Sequence, residues 1–212
     1  MTYFEPDCQL CPRLSAHLMQ IRHDYTEYHA QPVAPFGVEQ PLLLIVGLAP
    51  GMHGANATGR PFTGDHAGII LYDTLYRFGF SNQARSENRH DDLILKNCRI
   101  TNAVKCLPPE NKPTGQEITT CNRYLAAELA GLGSGTVILA LGRIAHQAVV
   151  KGLDLMQKDY PFRHGQLYSV TRGRRLLDSY HCSRYNTQTK RLTPRMFDEI
   201  FYKILEIIDI TN

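Results

Sequence analysis

The chain has 212 residues, 43% of them hydrophobic and 20% charged, which suits a single soluble globular domain over 1–212 and excludes fibrous, low-complexity and disordered classes. The formal charge of +3 points to no strongly acidic or basic partner by itself. The apolar runs are too short to span a bilayer, and the start Met1-Thr2-Tyr3-Phe4-Glu5-Pro6-Asp7 lacks a basic segment followed by an apolar one, so no membrane partner and a cytoplasmic location are expected.

In chain order, residues 41–48 form a continuous apolar run ending in glycine-rich sequence, the pattern of a buried parallel strand. A helix follows over 65–78, with Ile70, Leu71, Thr74, Leu75 and Phe78 at helical spacing. Residues 81–97 are polar and turn-rich and read as a long surface loop or a weakly ordered excursion. A second strand spans 99–104. Thr114-Gly115-Gln116-Glu117 is a capping box that opens a helix to about Ala130, closed by Gly131. The third strand covers 136–141, and a helix over 143–151 stops at Gly152. Segments 166–171 and 174–180 read as a hairpin whose second strand is the fourth core strand. Thr193-Pro194 starts a final amphipathic helix to about Ile208, with Phe197, Ile200, Phe201, Ile204, Leu205 and Ile208 on one face. Alternating strands and helices predict an α/β fold, a three-layer α/β/α sandwich around a central four-stranded parallel sheet.

Open parallel sheets bind ligands beyond the carboxyl ends of their strands. That rule selects 47–68, 102–109, 142–143 and 181–189. The first segment holds six glycines in 22 residues, together with His53, Asn56, Phe62, Asp65 and His66. It lacks the Gly-Lys-Ser/Thr ending of a nucleotide phosphate loop. Asp65 suits either a helix N-cap or a carboxylate that stabilises developing positive charge. Between Arg172 and Arg195 stand Arg172, Arg174, Arg175, Arg184, Lys190, Arg191 and Arg195 against one acid, Asp178. A solvated face and a surface for a phosphate backbone both account for that run. Cysteines stand at 8, 11, 98, 106, 121 and 182, and in a cytoplasmic chain metal or cluster ligation is favoured over disulfides. Spacing alone leaves an iron–sulfur cluster and a tetrahedral zinc site both open.

The run Gly47-Leu48-Ala49-Pro50-Gly51, then His53-Gly54-Ala55-Asn56, then Thr58-Gly59-Arg60-Pro61-Phe62-Thr63-Gly64-Asp65 resembles the first motif of the type-b (family 5) uracil-DNA glycosylases. His181-Cys182-Ser183-Arg184-Tyr185-Asn186 stands where that family has its second motif, and 101–109 resembles the segment between them. The resemblance implies a DNA repair enzyme that flips uracil, and other deaminated bases such as hypoxanthine, out of DNA and hydrolyses the glycosidic bond without a lyase step. It implies Asp65 and His181 as catalytic groups. Gly47, Ala49, Gly51, His53, Asn56, Phe62 and Asn102 would form the base pocket, with Phe62 stacking on the base and Asn102 reading its edge. Ser183, Arg184, Tyr185, Asn186, Lys190 and Arg191 would meet DNA. Ala49, apolar where other families of these glycosylases carry an acid or Asn, leaves the water-directing role to Asp65. The resemblance also implies a 4Fe-4S cluster on Cys8, Cys11, Cys106 and Cys121, and a monomer is expected; Cys98 and Cys182, left over, read as buried free thiols, and His66 is expected to be exposed. Two positions depart from the family pattern: Ala57 stands where Arg is frequent, and Cys182 where Pro or a small apolar residue is usual.

Overall fold

A computed structural model describes residues 3–211 of the protein. Its core is one sheet of six strands: β1 (Phe36–Gly37), β2 (Leu43–Gly47), β3 (Cys98–Asn102), β4 (Val137–Leu141), β5 (Leu167–Ser169) and β6 (Arg175–Ser179). The order is β1-β3-β2-β4-β6-β5. The four inner strands run parallel, as expected, and β1 and β5 add an antiparallel strand at each edge. In register, Ile45 lies beside Ile100 of β3 and Leu139 of β4.

Both faces of the sheet are covered because successive side chains alternate and both sets are apolar. Leu43, Ile45, Leu139 and Leu177 pack with helices α3 (His66–Arg77) and α7 (Pro194–Thr211). Leu44, Val46, Ile138 and Leu176 pack with α4 (Gly115–Ala130) and α5 (Arg143–Gly152). Thr114 caps α4 with both hydrogen bonds of the capping box in place. Among the described residues no helix is long and apolar enough to cross a membrane. A further helix, α1 (Pro12–Asp24), was not foreseen. It buries Leu14, Leu18 and Ile21 against Leu107 and Tyr124. The short helices α2 (Ala55–Thr58) and α6 (Arg184–Gln188) complete the chain.

Of the two expectations for residues 81–97, the structure shows the long loop and not a weakly ordered excursion. Leu93 and Leu95 are buried in the core, Ser81 bridges to Leu95, and Asp91 is tied to Arg60. Buried leucines and a buried ion pair hold a sequence whose polar composition conceals them.

Candidate active site

The carboxyl ends of β2, β3 and β6 surround a cavity of about 370 Å³ lined by Ala49, Gly51, Phe62, Asp65, Asn102 and His181, with Asn111, His66, Ser183 and Arg184 at its margins. Parallel strands end at a common level, so residues following each one meet there. The loop after β2 turns back and starts α3 at the cavity. Asp65 occupies the N-cap position of α3, yet its side chain makes no capping bond. One carboxylate oxygen accepts a long hydrogen bond from the Ala55 amide at 3.3 Å. Burial raises the carboxyl above the ordinary value of 3.8, and the Ala55 amide opposes that rise. A half-buried, under-bonded carboxylate is available to a ligand in a way that a satisfied cap is not.

Two glycines make room for this arrangement. A methyl group at Gly54 would overlap the Asp65 carboxylate, and one at Gly47 would collide with the Asn102 amide and come within 2.8 Å of the Phe62 ring. Gly54→Ala is therefore expected to displace the carboxylate and slow the reaction by about tenfold or more, read as a single-turnover rate beside an unchanged circular dichroism spectrum.

His181 follows β6, and among the described residues its ring makes no hydrogen bond within the protein. Burial pushes its pKa down from 6.5 to about 4, so the imidazole is neutral at pH 7. Its ring lies 5.9 Å from that of Phe62, 26° from parallel. Phe62 itself has a positive φ of 59°, rare for an aromatic residue. The Asn186 amide donates to the His181 carbonyl at 2.8 Å, and Ser183 Oγ accepts from the Asn186 amide N–H at the start of α6. Ser183 and Asn186 thus brace the His181 loop, while Arg184 and the 70% exposed Tyr185 face solvent beside the cavity. Cys182 is fully buried, its sulfur within the core.

Several expected residues stand elsewhere. His53 is exposed, outside the cavity, and bonds Tyr28 Oη at 2.8 Å. Asn56 is fully buried with neither amide atom partnered, and it does not line the cavity. His66 is half-buried, not exposed: it lines the cavity and reaches Thr187 Oγ1 at 3.3 Å. The basic run divides in two. Arg172, Arg174 and Arg175 lie at the amino end of β6, where Arg174 is buried and donates to the carbonyl of Leu132. Arg184, Lys190, Arg191 and Arg195 follow its carboxyl end, with the Arg191 guanidinium 4.7 Å from the Tyr180 ring centre. Only this second group shares the cavity's end of the sheet. Asn111 was missed. It sits in the turn Pro109–Asn111 with φ 57°, and the Pro108-Pro109 pair that opens it is the signal for a turn there.

Cys8, Cys11, Cys106 and Cys121 line a second, small pocket with Leu14, and the Lys105 amide donates to Cys121 Sγ at 3.3 Å. No group of three His, Cys, Asp or Glu side chains among the described residues is arranged to clasp a single metal ion. The four cysteines line this pocket together with residues of α1, α4 and the segment after β3. Cys98 and Cys182 are buried elsewhere, in the core beneath α3 and α7.

A family model described as Uracil DNA glycosylase superfamily matches residues 34–205. A Type-5 uracil-DNA glycosylase of Thermus thermophilus is 46% identical over 91% of this chain and 90% of its own length. One from Mycobacterium leprae is 43% identical over 92% and 88%. A Type-4 uracil-DNA glycosylase of Archaeoglobus fulgidus is 34% identical over a shorter stretch, 64% of this chain and 61% of its own. The chain belongs to the uracil DNA glycosylase superfamily and, within it, to the type-5 uracil-DNA glycosylases.

Proposed function

We propose that this protein hydrolyses the N-glycosidic bond of uracil, and of other deaminated bases such as hypoxanthine, in DNA and leaves an abasic site. The observation that carries the reading is the under-bonded Asp65 carboxylate on one cavity with the neutral His181 and the Asn102 amide. A flipped base enters against Phe62, and Asn102 offers both a donor and an acceptor to its edge. As the bond from C1′ to the base nitrogen breaks, its electron pair leaves with the base and positive charge grows on the sugar. Asp65 stabilises that charge and orients the water that adds to C1′. His181 donates its ring N–H to the base oxygen that gains negative charge. The water's surplus proton leaves to Asp65 or solvent, and the base anion is later protonated. Among the described residues that line the cavity there is no lysine to form a Schiff base, so water is the nucleophile in this reading. Arg184, Tyr185, Lys190 and Arg191 meet the DNA, and the protein acts as a monomer in the cytoplasm. The test is release of free uracil from a U·G oligonucleotide, with strand breakage only after alkali. Intact oligonucleotide at enzyme excess would overturn the reading.

Cys8, Cys11, Cys106 and Cys121 fit a 4Fe-4S cluster: four cysteines from three parts of the chain face one pocket. Its role there is a clamp that ties the start of α1 to α4. Cys121→Ser is expected to abolish broad visible absorption and iron content and to lower the melting temperature by several degrees, since metal binding is linked to folding. A colourless wild-type protein containing zinc would overturn the cluster assignment.

A further inference from the structure

The stretch from Arg60 to Asp65 is fastened from outside by residues 81–97. Arg60 Nη1 lies 2.5 Å from Asp91 Oδ1 and 3.1 Å from Ser86 Oγ, and the guanidinium stands 4.6 Å from the Phe36 ring centre. Arg60 and Asp91 side chains are only 7% and 10% exposed. Ser86 Oγ is in turn 2.5 Å from Thr63 Oγ1. Asp91 also accepts from the amides of Glu87 at 2.8 Å and Leu93 at 3.2 Å, so one carboxylate shapes its own segment and grips the opposite loop. Between the two gripped residues, Arg60 and Thr63, lies Phe62 with its positive φ. Such a conformation persists only where the surroundings over-determine it. Ala84, Arg85, Ser86 and Glu87 also wall a groove of about 720 Å³ that opens from the cavity past Asp65.

We propose that Asp91 is a positioning residue for base release: through Arg60 and Ser86 it holds the stretch 60–65, keeping Phe62 and Asp65 in register with His181. The inference rests on the cavity being the base pocket. Leu93 and Leu95 are buried in the core and anchor the end of residues 81–97 by side-chain packing, while Asp91 also orders 87–93 through their backbone amides. The ion pair has a different task, because it crosses from that segment to the catalytic loop. A buried pair lacking one partner leaves an uncompensated charge that must move toward water. When Asp91 is removed, Arg60 swings outward and releases Phe62 while the sheet stays intact.

The test compares Asp91→Ala, Asp91→Asn, Arg60→Ala and the double alanine variant. Single-turnover uracil release is read at saturating enzyme. Affinity is read with a duplex carrying 2′-fluorinated deoxyuridine, which resists cleavage. Asp91→Ala is expected to lose about tenfold in rate and to change affinity within about twofold, because misplaced groups lose rate more than binding. Asp91→Asn, which keeps an acceptor for Arg60, recovers part of that loss. The double variant is no slower than the slower single variant, as for two residues acting as one unit. Val149→Ala, in buried α5, serves as the control for lost stability. A wild-type rate in Asp91→Ala, multiplying effects in the double variant, or an equal loss in Val149→Ala would each overturn the proposal. If the wild-type protein released no uracil, the proposed function would fail and not the latch. Hydrogen exchange then decides the latch: faster exchange of the amides of 62–65 in Asp91→Ala supports it, and unchanged exchange overturns it.

Discussion

Asp65→Asn is expected to slow uracil release by about 10²–10³-fold, or roughly 3–4 kcal/mol of barrier, while DNA affinity is retained. The carboxylate has one long hydrogen bond and is otherwise free to act on the sugar. Its effect on stability runs the other way. Burial raises the folded-state pKa of Asp65, so the folded protein holds this proton more tightly than the unfolded chain. The resulting stability is present below the ordinary value of 3.8 and is lost as pH rises through the folded value. At neutral pH the ionised carboxylate therefore costs stability, and the neutral amide removes that cost. The variant should melt at the same temperature as the parent or higher. A marked drop in melting temperature would identify Asp65 as a structural cap and sink the catalytic assignment. In the parent, the rate should fall on the acid side as Asp65 takes up its proton, at a pH above its ordinary value of 3.8. That limb should be missing from the residual activity of Asp65→Asn.

His181→Ala is expected to cost about 10²-fold in the same assay, the usual range for a positioned proton donor. The His181 pKa is pushed down to about 4, so the ring stays neutral and donates one N–H across the neutral range. Activity should therefore show no inflection near 6.5, the ordinary histidine value. An inflection there that disappears in His181→Ala would mean that the ring is solvated and charged when it acts. Stability carries the matching sign. As pH falls below 6.5 the unfolded chain binds a proton that folded His181 refuses, so stability is lost progressively toward pH 4. His181→Ala should remove that part of the acid sensitivity, visible as a smaller drop in melting temperature between about pH 7 and 5.

Inner strands and covering helices were legible because their signals are local. Leu43 to Val46 and Val137 to Leu141 are unbroken apolar runs, Thr114 and Glu117 sit three apart, and α7 repeats its apolar face for four turns. Helix α1 was missed although Leu14, Leu18 and Ile21 have helical spacing, because polar residues surround them and its partners come from distant segments. The edge strand β1, of two residues, is too short to leave a pattern. In the site, the strand-end rule selected segments whose Asp65, Asn102 and His181 line one cavity. It misplaced His53, which sits on the outer side of the same loop, because spacing in a loop does not tell which way a residue faces. The basic run misled for a similar reason. Residues 172–175 and 184–191 are close in sequence, yet β6 carries them to opposite ends of the sheet. Arg60 and Asp91, 31 positions apart, leave no periodic trace at all.

The antiparallel strands at the two sheet margins have a consequence for the protein's behaviour in a crowded solution. A parallel core of four apolar strands would, with bare margins, offer its unpaired backbone groups to any extended chain nearby. Here one margin ends in the two residues of β1, the second of them Gly37 with φ 118°, and the other in the three residues of β5. A foreign strand arriving at either margin would find too few backbone partners to hold its register. The short edge strands in this way guard the protein against recruiting its own copies into fibrils.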